Sequence, residues 1–126
     1  MPTVTITVRK PKSLEFKTKV LAAVHASLVS NGVSPNDRFH RVLELEAENF
    51  QFDLRFPDLQ RDRTDDFVLV EVLLGVGRSV RVKKAILSSL MERLASEGFD
   101  PQNFMVIFQE VAWENWSPAG GKVPHA

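Results

Sequence analysis

The sequence predicts an α+β fold: two tandem βαβ units that form a four-stranded mixed sheet with both helices on one face. The first observation is an internal repeat. The 126-residue chain matches itself at a shift of 66 positions, which aligns residues 3–45 with 69–111 without a gap. Identities pair Ser13 with Ser79, Lys17 with Lys83, Leu21 with Leu87, Leu28 with Leu94, Ser30 with Ser96, Gly32 with Gly98, Pro35 with Pro101 and Glu44 with Glu110. The second observation is a change of period inside each copy, from two to that of a helix. The third is that the strands of the second copy are apolar on both sides.

Val4, Ile6 and Val8 alternate with Thr3, Thr5 and Thr7, as a half-buried strand requires, and Val70, Val72 and Leu74 repeat the alternation. Helices follow, because Val20, Leu21, Val24 and Leu28 recur at helical spacing and are answered by Ile86, Leu87, Leu90 and Leu94. Ser13 and Ser79 open them: a serine oxygen accepts from the otherwise unpaired N–H groups of a first turn. Gly32 and Gly98 close them by taking the left-handed conformation, and the proline three residues later prevents resumption. Second strands are expected at about 39–45 and 104–111. Within each unit the strands are then parallel and joined by a right-handed crossover.

In the second copy Phe67, Leu69 and Leu73 alternate against Val68, Val70, Val72 and Leu74, and Phe104, Val106 and Phe108 against Met105 and Ile107. Such strands are buried on both faces. Two helices cover one face only, so other copies of the chain are expected to cover the second, making a homo-oligomer. Residues 46–66 join the halves. Their alternating Phe50, Phe52, Leu54 and Phe56, ended by Pro57, fit a short extra strand, a subunit-covering arm or a charged surface loop. After Val111 come both tryptophans and then Gly- and Pro-rich sequence, so a flexible tail is expected over about 117–126.

Composition narrows the function classes. A chain of 126 residues suits one domain with one core. Without cysteine it has no disulfides, thiol nucleophile or cysteine-ligated metal. The 16 Lys and Arg balance 16 Asp and Glu, with no dense basic run, which argues against nucleic acid and against a polybasic membrane anchor. No apolar run approaches the roughly 20 residues of a membrane span, and no signal-peptide layout opens the chain. A soluble, cytoplasmic protein is the expectation.

Conventional catalytic constellations are weak. His25, His40 and His125 are scattered without metal-ligand spacing, so no metal site is expected. Gly75-Val76-Gly77-Arg78-Ser79 lacks the cradle and Lys-Ser/Thr end of a phosphate loop, and no GxSxG elbow supports a serine triad. Pro2 is the most informative residue. Removal of the initiator Met would expose its secondary amine where the first strand starts. An α-amino group titrates near 7.7–8.0, and burial beside a cation lowers it, so a neutral general base at physiological pH is available. Taken alone, Pro2 is equally an accident of a short N-terminus.

Pro2 has company, however. The Pro2 strand, VHASLV at 24–29, NDRF at 36–39, ENFQFD at 48–53, DDFVLVEVLLGVGRSVRVKKA at 65–85 and ENWSPAGG at 114–121 together resemble the tautomerase superfamily. The likeness is to its long-chain branch that contains malonate semialdehyde decarboxylase. The resemblance implies the tandem βαβ fold, a homotrimer, no cofactor and a small carboxylic-acid substrate. It also implies residue roles. Pro2 matches the catalytic proline. Arg78 matches the arginine that grips the substrate carboxylate, a task suited to a guanidinium that pairs through two parallel hydrogen bonds. Asp37 matches the acid near the proline; read by itself, it is a turn residue after Pro35. Trp116 matches an aromatic pocket wall, and His25 and Phe39 fall among substrate-binding positions, although the repeat partner of His25 is Met91, which suits a structural histidine.

Two departures stand out. Val76-Gly77-Arg78 carries a single arginine where the decarboxylase pattern has arginines flanking a proline, and Trp116-Ser117-Pro118-Ala119 replaces WSFG. A pseudo-twofold arrangement with antiparallel first strands would bring Pro2 towards Gly75–Arg78, while the mirrored position pairs Val68 with Lys12. One active site per chain follows. The expected activity is keto-enol isomerisation of a small 2-oxo or enol carboxylic acid with Pro2 as base. The alternatives are decarboxylation or hydration of a 3-oxo acid with Pro2 as acid, and a non-catalytic oligomeric binding protein.

Overall fold

Each copy of the repeat folds into the unit that its pattern requires. In this computed structural model, which describes residues 1–124, the first copy contributes β1 (Thr3–Arg9), α1 (Leu14–Val29) and β2 (His40–Leu45). The second contributes β3 (Val68–Gly75), α2 (Val80–Ser96) and β4 (Phe104–Val111). His125 and the end of the expected flexible tail lie outside the described residues. The sheet order is β2-β1-β3-β4. β1 and β2 run parallel, β3 and β4 run parallel, and β1 meets β3 antiparallel.

The repeated identities have physical jobs. Ser13 Oγ accepts from the Phe16 amide and Ser79 Oγ from the Val82 amide, capping the two helices. At the other ends Gly32 and Gly98 have φ of 107° and 89°, and the next amides, of Val33 and Phe99, reach back to the Leu28 and Leu94 carbonyls. Lys17 pairs with Glu44 and Lys83 with Glu110, so each helix is tied to its own outer strand by the same ion pair. The core lies between sheet and helices. Val4, Ile6, Val8, Val68, Val70, Val72 and Leu74 of the central strands meet Val20, Val24, Leu28, Ile86, Leu90 and Leu94, each at most 2 % exposed. Fully burying side chains of this size stabilises the fold by roughly 1.5–3 kcal/mol each.

The opposite sheet face is only partly covered. Leu43, Met105 and Ile107 remain 41 %, 40 % and 42 % exposed there, and Leu69 and Leu73 are half-buried. The joining segment forms no strand. After a short 3₁₀ turn at Ala47–Asn49 it folds back on its own chain, stacking Phe52 on Phe67 at 4.3 Å with Arg9 over the Phe52 ring at 4.4 Å. The expected alternation of Phe50 and Phe52 therefore reflects an aromatic cluster rather than a pleat. The second strand of the first unit starts at His40, one residue later than expected, and leaves Phe39 55 % exposed. Among the described residues no helix is long and apolar enough to cross a membrane.

Candidate active site at the start of β1

The register fixes the corner where a site forms. Thr3 pairs with Leu73 and Val4 with Val72, so continuing the antiparallel ladder sets Pro2, which is buried, beside the end of β3 that leads into Gly75–Arg78. The loop from α1 to β2 arrives at the same corner. Its turn is held by Asp37 N–H donating to the Ser34 carbonyl at 3.0 Å, and Asp37 Oδ2 lies 3.4 Å from the Met1 amine. The other carboxylate oxygen, Asp37 Oδ1, is buried and has no hydrogen-bond partner among the described residues. A buried acceptor without a partner costs free energy, of order 1–3 kcal/mol.

Met1, Thr3, Phe39, Trp116, Ser117 and Pro118 line a cleft of about 200 Å³ at this corner. Aromatic walls supply apolar contact, and Trp116 Nε1 is a second buried polar atom without a hydrogen-bond partner among the described residues. The volume suits a small organic molecule. A wider groove of about 450 Å³ runs along β2 past Arg38, His40 and Arg41, and shares Thr3 and Phe39 with the cleft.

The structure brings Asp37, Phe39 and Trp116 together at the chain terminus, with Phe39 and Trp116 in the cleft lining, whereas Pro2, Asp37, Arg78 and His25 lie outside that lining. Arg78 sits half-buried in the loop before α2, at the same end of the sheet, and makes no hydrogen bond or ion pair to other described residues. His25 is 5 % exposed, its Nε2 is 2.9 Å from the Pro35 carbonyl oxygen, and its ring stacks edge-on with His40 at 5.6 Å. It supports the Asp37 loop rather than facing the cleft. Burial, the neighbouring His25 and then Arg38 push the His40 ring below its ordinary value. Among the described residues no cluster of three His, Asp or Glu side chains is arranged to hold a metal ion.

Sequence reasoning passed over Trp113. Its indole lies against Gly75, and Nε1–H donates to the Val76 carbonyl at 3.0 Å, two residues before Arg78. The available signal was the glycine itself, which ends a strand where no turn requires a positive φ.

Comparisons with known proteins agree on this architecture. A family sequence model described as "Tautomerase enzyme" matches residues 37–119. "Probable tautomerase YusQ" of Bacillus subtilis (strain 168) is 27 % identical over 124 residues, covering 97 % of this chain and 96 % of that protein. Among solved structures, FG41 malonate semialdehyde decarboxylase inhibited by 3-bromopropiolate superposes with a TM-score of 0.86 at 22 % identity, covering 96 % of this chain and 92 % of the other. A fused 4-OT described as a symmetric trimer gives a TM-score of 0.74 at 20 % identity, covering 96 % and 94 %. At these identities the structural likeness speaks for the fold.

Proposed function

The chain belongs to the tautomerase family, and on that premise we propose that it is a cofactor-independent tautomerase of a small 2-oxo or enol carboxylic acid. One observation carries the reading: the start of β1 lies beside Asp37 and a small aromatic cleft, at the sheet end where the Arg78 loop emerges. In this reading Met1 is removed and the secondary amine of Pro2 becomes the base. It takes the enol hydroxyl proton as the carbonyl forms and returns a proton to the adjacent carbon, and the reverse in the other direction. Arg78 binds the carboxylate through paired hydrogen bonds and stabilises oxyanion charge that develops on the enolate. Phe39 and Trp116 wall the substrate, and Asp37 helps shape the site. We also propose a homotrimer whose copies cover the half-open sheet face, in line with the trimeric fused 4-OT.

A second reading has its own support. Asp37 Oδ2 lies 3.4 Å from the Met1 amine, so loss of Met1 would leave this carboxylate close to the Pro2 amine. Pro2 would then act as an acid in decarboxylation or hydration of a 3-oxo acid, with Asp37 positioning water.

Intact-mass measurement comes first: the reading requires loss of Met1, and a mass that retains it ends both mechanisms. Pro2→Ala should then lower kcat/KM for enol ketonisation by about 10²–10⁴-fold. The pH–rate profile separates the two readings. A base works only above its own pKa, so activity rising with pH supports isomerisation, and activity falling with pH supports the acid role.

A further inference from the structure

We propose that Trp113 is a positioning residue that sets Arg78 for the substrate carboxylate and couples that anchor to the cleft wall; the inference rests on the reading of Arg78 given above. Its first support is steric. A Cβ built on Gly75 would fall 2.4 Å from two atoms of the Trp113 ring, so the indole lies on the backbone where any side chain would stand. The second is polar. Trp113 Nε1–H donates to the Val76 carbonyl at 3.0 Å, while the Val76 amide donates to the Val111 carbonyl at 3.0 Å. Gly75 and Val76 are thereby held to β4 and the turn that follows it.

From there the chain has little freedom before Arg78. Gly77 has φ of 122°, a conformation that other residues rarely adopt, and Ser79 is already the N-cap of α2. Arg78 is thus presented between a backbone pinned by Trp113 and a capped helix. The same 3₁₀ turn, Trp113–Asn115, leads into Trp116, whose amide donates to the Trp113 carbonyl at 3.1 Å. One turn therefore touches the arginine loop with its first residue and delivers the aromatic wall with the next one along. Movement of the loop and movement of the wall are mechanically linked.

Steady-state kinetics with the enol of phenylpyruvate and the enol of its methyl ester test this. The acid has the carboxylate for Arg78; the ester lacks the charge. Trp113→Phe keeps a ring but removes the donor, and is expected to lower the acid-to-ester ratio of kcat/KM about tenfold, with the loss in KM. Gly75→Ala, which forces the ring off the backbone, is expected to do the same. Arg78→Ala is the reference and should collapse the ratio fully. If both Trp113→Phe and Gly75→Ala keep the ratio within about twofold of wild type while Arg78→Ala collapses it, the positioning role of Trp113 is overturned and the role of Arg78 stands. If Arg78→Ala itself leaves the ratio unchanged, the carboxylate reading fails and this inference falls with it. A lower melting temperature with an unchanged ratio assigns Trp113 to stability alone and also overturns it.

Discussion

At the corner where β1 begins, Asp37, Phe39 and Trp116 surround the chain terminus, whereas at the pseudo-symmetric corner where β3 begins their repeat counterparts are Asn103, Met105 and Phe50. The second corner has a cleft of its own, of about 250 Å³, lined by Phe50, Phe52, Arg63, Phe67, Leu69 and Met105. Its turn residue is engaged, however: Asn103 is 6 % exposed, accepts from the Thr64 amide at 3.0 Å and donates to Thr64 Oγ1 at 3.0 Å, so both polar atoms of its side chain have a partner. Phe50 packs on Phe67 at 5.7 Å. The counterpart of Pro2 is Val68, fully buried inside a continuous chain, and the counterpart of Arg78 is Lys12, which lies 3.5 Å from Asp66 and 5.7 Å from the Phe16 ring centre. What differs is the chain path: at one corner Met1 lies 3.4 Å from Asp37, and at the other residues 46–66 arrive and line the cleft. Asp37 Oδ1 has no hydrogen-bond partner among the described residues, whereas both polar atoms of the Asn103 side chain do, and we propose one reactive centre per chain because Val68, the counterpart of Pro2, has no free amine to offer.

Breaking the shared frame should have the largest effect and should not distinguish the halves. Leu28 and Leu94 are both 0 % exposed and accept the same glycine-turn amide on their carbonyls. Leu28→Ala and Leu94→Ala are each expected to cost about 3 kcal/mol, a fall in melting temperature on the order of 10 °C. Thermal denaturation checks this. A cost more than about 1.5 kcal/mol apart would show that the two cores are not equivalent.

Much of this frame was legible in the sequence because it rests on local rules. A serine cap, a left-handed glycine and a helical stripe each leave a mark within a few residues, and the repeat marks them twice. The repeat also runs further than the strands. Glu48 and Asn49 match Glu114 and Asn115, in 3₁₀ turns that occupy equivalent places, yet the aromatic contents of those turns differ, which hid the correspondence. The joining segment was not legible, since alternating phenylalanines look the same in a strand and in a cluster, and only the fold brings Phe67 and Arg9 to them. For the site, the grouping of Asp37, Phe39 and Trp116 rested on family resemblance. No spacing in the chain announces that residues so far apart in sequence meet at one corner. His25 shows the opposite limit: the resemblance set it among substrate-binding positions, whereas its repeat partner Met91 suited a structural histidine, and its burial and its hydrogen bond to the Pro35 carbonyl give it a supporting place.

Exchanging the corners' chemistry sharpens the comparison. Asn103→Ala removes both of its hydrogen bonds to Thr64 and is expected to cost about 1.5 kcal/mol of stability, read by urea denaturation, with little loss of turnover. Asp37→Asn makes the first corner resemble the second in side-chain type. It is expected to change stability by less than about 1 kcal/mol, because the ion pair it removes is partly exposed, while lowering turnover more than Asn103→Ala does. Equal effects of the two substitutions on turnover would mean that the corners are functionally alike and would remove the argument for a single centre.

The smallest expected difference lies in pH dependence, where the repeat replaces a titrating side chain with an apolar one. His40 and Val106 occupy equivalent positions on the helix-facing side of β2 and β4. Burial pushes the His40 ring down from its ordinary value of 6.5, helped by His25 from α1 and Arg38 from the preceding loop. Between the depressed folded value and 6.5 the unfolded chain binds more protons than the folded one, so stability rises with pH in that window. The contribution is present above 6.5 and is lost as pH falls towards the folded value. His40→Val, which copies the second half, should therefore flatten the fall in urea midpoint between about pH 7 and pH 5. The Lys17–Glu44 and Lys83–Glu110 pairs occur in both halves, so they do not set the two outer strands apart. A variant whose midpoint falls as steeply as wild type would place the titrating group elsewhere and make the two outer strands equivalent in this respect as well.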